Sequence, residues 1–330
     1  MIANSSAFPK SVARHMQDCL KHFCWTVIMT ASGVAAGQSA ERSGLQAEVT
    51  REGITVTEAG QSLLHYQLRT KSLDGAWPRA NYIHPLYDLD GNVITEDFPE
   101  DHGHHRGIFW AWHQVRVGDQ KVGDAWVCKD FLWDVQSQGI EYDTGGCLRL
   151  IANVEWKSPR ICNQSGEMLP IVAERTVISV HPVHNKYRLL DFEISLRALL
   201  RNVRIGGSED VKGYGGFSPR IKLSENQKFV GNNGLVEPQK TAVEAGPWID
   251  ISNETGGLAI LCHPSNPGFP QSWILRAERS MQNAQYPGAE PVELSTTTQT
   301  VLRYRLVIHR SAVDQTNIAE LFAEYASEVH

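Results

Sequence analysis

The chain has 330 residues, of which 42% are hydrophobic and 21% are charged, and its formal net charge is −6. This balance gives no indication of the basic face that nucleic-acid binding requires, and it argues equally against attraction to an anionic membrane surface. The length suits one large all-β domain or two average domains.

Residues 1–36 have the order of a secretory signal peptide. The basic residues Lys10 and Arg14 precede an apolar stretch that begins at Phe23, and the small residues 34–36 follow it. A basic lead, a short apolar region and a small-residue cleavage site define such signals. We therefore expect a mature protein of residues 37–330, located in the periplasm or secreted, with no membrane contact beyond export.

Four cysteines remain after cleavage at that point. In an oxidising compartment they allow three pairings, and free buried thiols are equally compatible with the sequence. The spacing does not choose between these states for Cys128, Cys147, Cys162 and Cys262.

From residue 46 onward, alternating apolar and polar residues predict one strand after another. The clearest case is 190–198, where the apolar residues alternate with Asp191, Glu193, Ser195 and Arg197. A period of two over nine residues is typical of a half-buried strand. Helical spacing occurs after the signal only around 318–325. We therefore predict a single large antiparallel β-sandwich with a short C-terminal helix, in which 201–216 and 231–246 form long loops.

The segment 101–106 concentrates the chemistry of the chain. It contains Asp101, His102, His104 and His105 beside Arg106. Histidine is the side chain best suited to proton transfer near neutral pH and is also the commonest metal ligand. If the segment is extended, His102 and His104 share one face. The carboxylate that would complete a His-x-His metal site a few residues later is missing.

Three interpretations of this segment remain open. The histidines and a distant carboxylate act as acid and base on a small neutral substrate, they hold a metal ion, or they bond one another and the backbone in a buried turn. Trp110 and Trp112 share one face of the following strand, where one of them could form a pocket floor. No metal ligand is assigned and no cofactor is expected.

Three motifs resemble one known family. They are His84-Pro85-Leu86-Tyr87-Asp88, the segment Asp101-His102-Gly103-His104-His105-Arg106, and His263-Pro264-Ser265-Asn266-Pro267 with Trp273 and Arg276. Over 46–310 the chain resembles the soluble bacterial family named "methane oxygenase PmoA", a domain of unknown function. Gly103 stands where that family often has Pro, and the Glu of its Lys-Glu-Gly loop is absent at Lys212-Gly213.

The resemblance implies a galactose-mutarotase-like supersandwich that binds a pyranose in an open concavity of a sheet. It further implies a His acid and a carboxylate base. The implied acid is His104 or His105, and the implied base is Glu174 or Asp210. The candidate substrate-binding residues are His84, Asp101, His102, Arg106, Trp110, Trp112, His113, Lys212, Arg220, His263, Asn266 and Arg276.

We therefore expect a carbohydrate-active protein that acts on a sugar or glycoside by acid–base chemistry, as an epimerase, hydrolase or lyase. A non-catalytic glycan-binding protein and a His-ligated metalloenzyme are the alternatives.

Overall fold

A computed structural model describes residues 44–310 and 315–329. The predicted signal peptide, 1–36, lies outside the described residues. In chain order the strands are β1 (Leu45–Val49), β2 (Gly53–Glu58), β3 (Gln61–Gln67), β4 (Lys71–Leu73), β5 (Ala76–Arg79), β6 (Tyr82–Leu86), β7 (Ile108–Ala111), β8 (Gln114–Val117), β9 (Gln120–Gly123), β10 (Leu132–Tyr142), β11 (Leu148–Cys162), β12 (Met168–Val180), β13 (Tyr187–Ala198), β14 (Val203–Gly206), β15 (Gly216–Pro219), β16 (Lys228–Gly231), β17 (Gly234–Leu235), β18 (Trp248–Ser252), β19 (Gly256–Cys262), β20 (Trp273–Ile274), β21 (Asn283–Gln285), β22 (Val292–Glu293) and β23 (Thr300–Arg310), and the helix is α1 (Gln315–Ser327).

Two large antiparallel sheets contain most of these strands. The first sheet has eight strands in the order β1-β2-β3-β6-β7-β15-β21-β20. The second sheet has nine strands in the order β10-β11-β12-β13-β23-β19-β18-β16-β17. A four-stranded sheet (β22-β14-β8-β9) and the hairpin β4–β5 complete the strand pairing.

Strand β13 shows why these sequences form half-buried strands. Every second residue from Leu190 to Ala198 is buried, whereas Asp191, Glu193 and Arg197 between them are partly exposed. Successive side chains of a strand point to opposite faces, so this alternation places one apolar face against the interior. Burial of each large apolar side chain stabilises the fold by about 1.5–3 kcal/mol.

The main core lies between the two large sheets. Trp110 of β7 meets Phe192 of β13 with ring centroids 6.3 Å apart, and Phe192 meets Phe217 of β15 at 5.0 Å. Phe217 stacks on Tyr304 of β23 at 4.4 Å. These contacts join the sheets face to face, which confirms the prediction of a large antiparallel β-sandwich.

The predicted C-terminal helix is also confirmed. Buried side chains of α1, among them Ile318, Leu321 and Tyr325, pack in a second, smaller apolar cluster with residues of the second sheet: Trp248, Ala259, Leu261 and Val307. Val307 alternates with Leu306 and Ile308, which belong to the main core. The helix therefore covers the face of the second sheet that points away from the sandwich interior. Within the described residues, no helix combines the length and apolarity that a membrane crossing requires.

The structure changes the description of the two predicted long loops and gives the state of the four cysteines. The predicted long loops 201–216 and 231–246 are interrupted by the short strands β14 and β17, whose few residues give too little periodicity to be recognised. The four cysteines Cys128, Cys147, Cys162 and Cys262 carry free thiols.

Candidate functional site

The segment 101–106 is a series of turns, so the shared strand face considered for His102 and His104 does not form. The backbone N–H of His102 donates to the carbonyl of Pro99 (3.1 Å), and that of His105 donates to the carbonyl of His102 (2.8 Å). The turn stacks the rings of His102 and His105 in parallel, with centroids 4.7 Å apart. His104 meets both rings edge-on, at 5.8 and 4.6 Å. The turn thus collects three imidazoles at one place.

Arg106 holds the backbone of this turn from below. Its guanidinium is fully buried and donates to the carbonyls of Gly103 (2.7 Å), His105 (2.8 Å) and Trp77 (2.6 Å). Its Nε lies 3.3 Å from a carboxylate oxygen of Asp97. This corrects the predicted role of Arg106, because a buried guanidinium occupied by protein groups does not contact a substrate.

Arg220 joins the turn to a second carboxylate. Its Nε donates to Glu96 (2.6 Å), and its two Nη atoms donate to the two carboxylate oxygens of Asp101 (3.1 and 2.8 Å). Arg220 is buried, whereas Glu96 and Asp101 keep 33% and 26% of their side chains exposed. The predicted contact of Arg220 with substrate is therefore corrected to a positioning role.

Asp101 also contacts the first histidine of the turn. Its Oδ2 lies 2.6 Å from Nδ1 of His102. Burial alone would raise the pKa of Asp101, but the hydrogen bonds from Arg220 and His102 outweigh burial and hold that pKa below its ordinary value. A charged carboxylate beside an imidazole fixes the orientation of the ring. The arrangement leaves Nε2 of His102 as the ring atom that can meet a ligand.

The other two imidazoles are held neutral. Burial, together with the nearby positive charges of Arg79 and the neighbouring histidines, lowers the pKa of His104 to about 4. Burial and the adjacent His104 and His102 lower the pKa of His105 much further, and its side chain is almost fully buried. At neutral pH both rings are neutral, so each offers one N–H donor and one acceptor nitrogen and no imidazolium charge.

An aromatic group continues from the turn. The ring of Trp126 contacts the edge of His105 at 6.0 Å, stacks on His113 at 5.3 Å and meets Tyr214 at 5.0 Å. Phe109 meets Trp126 at 5.3 Å. We call His102, His104, His105, His113, Trp126 and Tyr214 the histidine cluster.

The histidine cluster lies on the side of β7 opposite to the contact between Trp110 and the second sheet, and Phe109 and Trp126 beneath it are buried members of the main core. Neighbouring residues of a strand point to opposite faces, so Phe109, which contacts the cluster, points away from the side on which Trp110 meets the second sheet. The cluster is therefore built on that side of β7, where solvent has access to half-buried His104 and Tyr214.

His113 adds a second carboxylate–imidazole pair to the cluster. Its Nδ1 lies 3.0 Å from Asp124, while its Nε2 is buried without a hydrogen-bond partner. Burial alone would raise the pKa of Asp124, but the hydrogen bond from His113 and the His113 charge outweigh burial and lower it. The sequence did not identify Asp124, Trp126 or Tyr214.

The predicted residues Asp210 and Lys212 border this part of the cluster. The Nζ of Lys212 lies 5.9 Å from the ring centroid of Tyr214 and 3.6 Å from Asp210. Asp210 accepts hydrogen bonds from the Ser208 hydroxyl (2.7 Å) and the Lys212 backbone (3.0 Å). These contacts lower the pKa of Asp210, so it is charged and stabilises its own loop.

Trp77 covers the turn and was missed by the sequence analysis. A Cβ added to Gly103 would lie 2.3 Å from the Trp77 ring, so the indole lies directly against the glycine between the histidines. Trp77 has a left-handed φ of 48° and 36% of its surface is exposed. Such backbone conformations are unusual for bulky residues and concentrate at functional sites.

Glu174 is separated from the histidine cluster by the sheet itself. It is 2% exposed and accepts hydrogen bonds from Asn81, Trp110 and Thr176 on Oε1 and from Trp156 on Oε2, at 2.6–2.7 Å. Burial raises its pKa, and the four hydrogen bonds oppose that rise. Its predicted role as catalytic base is corrected to a structural one, since the carboxylate joins the two sheets inside the core.

The two tryptophans predicted to contact substrate also lie in the core. Trp110 and Trp112 do share one face, as expected, but both are fully buried. Nε1 of Trp112 donates to the carbonyl of Tyr286 (2.9 Å), and its ring contacts Trp156 at 5.3 Å. Neither ring is available as a pocket floor.

The remaining predicted residues have partners outside the histidine cluster. His84 bonds Thr95 (3.0 Å), and burial lowers its pKa to about 4. The amide oxygen of Asn266 accepts from the backbone N–H of Arg303 (2.6 Å), and its amide nitrogen donates to the carbonyl of Arg303 (2.8 Å). The other two residues are His263, which contacts Ser265 and Tyr325, and Arg276, which donates to the carbonyls of Gln239, Lys240 and Leu275. His263 and Asn266 of the third motif are therefore not brought to the cluster, whereas Arg276 interacts electrostatically with Tyr214.

The geometry of the imidazoles does not resemble a metal centre. His102 and His105 face each other through their ring planes, whereas metal ligation requires ring nitrogens that converge on one point. Among the residues that the structure describes, no group of three or more His, Cys, Asp and Glu side chains is arranged to hold a metal ion.

Comparisons with known proteins give a family. A search of curated proteins returned no match. Among solved structures, the chain is similar to a mutant of the heparan sulfate lyase HepC from Pedobacter heparinus, with 8% identity and a TM-score of 0.32 over 83% of this chain. The chain spans 36% of that protein's length. Residues 53–323, which make up most of the chain, match a family of unknown function, DUF6807. None of these comparisons supports the PmoA family specifically. The chain therefore belongs to the family DUF6807.

Proposed function

We propose that the chain binds a sugar or glycoside at the histidine cluster and acts on it by acid–base chemistry. The observation that carries this proposal is the Asp101–His102 pair, 2.6 Å apart, beside the neutral ring of His104. One imidazole is placed to hold a proton and the adjacent one to accept a hydrogen bond. Groups with such different environments in one site are typical of acid–base catalysis.

The roles differ from those expected from the sequence. His102, supported by Asp101, is the proton carrier, and its free Nε2 faces the ligand. His104 is a neutral partner that accepts a proton or hydrogen bond from a hydroxyl group. His105 supports both rings from below, since it is buried between His102 and Phe109.

Trp77 suits a neutral polyhydroxylated ligand. Its partly exposed indole lies beside the imidazoles, and flat aromatic faces pack against the apolar face of a pyranose. The mutarotase-like scaffold and the PmoA resemblance inferred from the sequence belong to this proposal. They are compatible with a ligand at the histidine cluster.

The experiment is turnover of anomerically pure sugars and nitrophenyl glycosides by the wild type and by His102→Ala and His104→Ala. We expect both variants to lose at least about 100-fold in kcat/KM, the scale of general acid–base catalysis. His184→Ala is the matched control, because His184 is exposed and contacts Tyr187 instead. Equal turnover by all four proteins would overturn the catalytic proposal.

Non-catalytic glycan binding is the second candidate. The lowered pKa values of His104 and His105 favour it, because neutral imidazoles bind hydroxyl groups without donating a full proton. Calorimetric binding without turnover, weakened by Trp77→Ala and retained by His102→Ala, would select this candidate over the enzyme.

Export remains part of the proposal. Cleavage after residue 36 would deliver the chain to the periplasm or the medium. N-terminal sequencing of the protein recovered from each fraction tests this, and an intact Met1 on all of the protein would contradict it.

A further inference from the structure

A groove of about 960 Å³ has Glu96, a partner of Arg220, in its wall. It is lined by residues 221–229, 235–238 and 277–279, and by Glu96. Its volume is at the upper end of the range, roughly 300–1,000 Å³, that small-molecule sites occupy. A single sugar ring would fill only a fraction of this space.

The groove and the histidine cluster share one structural connection. Glu96 lines the groove and binds Nε of Arg220, whose Nη atoms hold Asp101 beside His102. Backbone hydrogen bonds also hold Arg220 to the groove wall, because the N–H of Glu96 donates to the carbonyl of Arg220 (3.1 Å) and the N–H of Lys222 donates to that of Ile94 (2.8 Å). The wall of the groove is therefore hydrogen-bonded to the loop that carries the histidines.

The lining of the groove indicates the class of ligand. Its charged residues are mixed in sign, and an exposed leucine, Leu235 (72%), supplies an apolar surface. Mixed charges provide hydrogen-bond donors and acceptors without the strong field of one sign that attracts a polyanion. A neutral, polyhydroxylated chain matches both the polar groups and the apolar surface. The charged lining residues are Glu96, Lys222, Glu225, Lys228, Glu237, Glu278 and Arg279.

From these observations we infer that the groove binds the further units of an oligosaccharide whose reacting unit occupies the histidine cluster. This inference rests on the proposed function of the cluster and makes it more specific, since it assigns an oligosaccharide or polysaccharide as substrate. Glu96 is the residue common to both regions. It holds Arg220 on the cluster side and contacts the ligand on the groove side.

The test is binding to an array of defined glycans from monosaccharides to octasaccharides, followed by calorimetry on the glycans that bind. We expect affinity to rise with chain length by about tenfold or more between a monosaccharide and a tetrasaccharide. Ala277→Trp fills the groove from an exposed position and should reduce the tetrasaccharide affinity to that of the monosaccharide. Thr298→Trp, on an exposed loop outside the groove, is the matched control.

A milder variant protects the test against misfolding. Leu235→Ala removes an exposed side chain, leaves no buried cavity, and should weaken tetrasaccharide binding about threefold or more while leaving the monosaccharide affinity unchanged. His104→Ala should weaken the binding of glycans of every length.

The outcomes of this test separate the groove inference from the proposed function of the histidine cluster. Equal affinity for short and long glycans, or normal tetrasaccharide binding by both groove variants, overturns the groove inference but leaves the proposed function standing if His104→Ala still weakens binding. If the groove variants weaken binding but His104→Ala does not, the histidine cluster is not the sugar site, and the groove inference that rests on it is overturned as well. Absence of glycan binding overturns both.

Discussion

Oδ2 of Asp101 lies 2.6 Å from Nδ1 of His102. The same carboxylate receives two hydrogen bonds from Arg220, so its position is fixed on both sides. The pair therefore has the geometry of an oriented proton carrier at the edge of a solvent-facing site.

Asp101→Asn should lower kcat by about 100-fold or more, because a neutral amide no longer fixes the His102 ring as the charged carboxylate does. We expect a loss of about 1–3 kcal/mol in the free energy of unfolding, since the buried guanidinium of Arg220 loses a charged partner. Steady-state kinetics and urea unfolding measure the two effects. The control is Asp130→Asn, which disrupts a surface pair with Arg160. Unchanged kcat in Asp101→Asn would remove the carboxylate from the mechanism.

Glu174→Gln should destabilise the fold and leave ligand binding by the folded protein intact. The four partners of Glu174 all donate, so an amide nitrogen placed at either oxygen meets a donor inside the core. We expect a loss of about 2–4 kcal/mol in the free energy of unfolding. Glu141→Gln, on the surface beside Arg149, should change stability by less than about 0.5 kcal/mol. Normal stability with abolished turnover would restore Glu174 as a catalytic residue.

Gly103→Ala should displace the indole of Trp77 with little effect on stability. The added Cβ would lie 2.3 Å from the ring, and the ring is exposed enough to move aside. We expect weaker sugar binding, matching that of Trp77→Ala, and a change in unfolding free energy within about 1 kcal/mol. Gly139→Ala is the matched control, because a Cβ at Gly139 makes only an ordinary van der Waals contact. Gly75→Ala is unsuitable, because the φ of Gly75 is positive. Wild-type affinity in Gly103→Ala would show that the Trp77 position is irrelevant to the site.

Stability should fall as pH drops from about 6.5 to about 4. The folded chain holds His104 neutral down to pH 4, whereas the unfolded chain protonates it near 6.5, so unfolding takes up a proton in that window. His84 acts in the same direction. His104→Gln should remove on the order of 1–3 kcal/mol of this pH dependence, measured by urea unfolding at several pH values. An unchanged slope in His104→Gln, equal to that of His184→Gln, would contradict the burial of a neutral His104.

The sequence contained enough information for the fold class and for the location of the chemistry. Alternation in 190–198 depends on local geometry, so it predicted a strand whose apolar face is buried. Helical spacing around Ile318 and Tyr325 predicted α1 for the same reason. The concentration of imidazoles in 101–106 is visible in the sequence and indicated where to look for a site.

Which residues form the site depends on contacts between distant parts of the chain, and the periodicity of the sequence does not encode such contacts. Glu174 follows the pattern of a charged residue in an apolar strand. Only the folded structure shows that Asn81 and Trp110 join two donors of its own sheet around the carboxylate. Trp77 and Gly103 are 26 positions apart, and their contact follows from the placement of the β4–β5 hairpin. Trp126 reaches the cluster through the connection between β9 and β10.

The central claim is that the histidine cluster, and not the sandwich interior, receives a sugar. Crystals of the wild type soaked with the glycan that binds most tightly test it directly. We expect electron density for a sugar ring within hydrogen-bonding distance of Nε2 of His102 and of the ring of His104, packed beside Trp77, and no such density in His104→Ala crystals. A glycan bound only at a site that contacts none of these three residues would contradict the account.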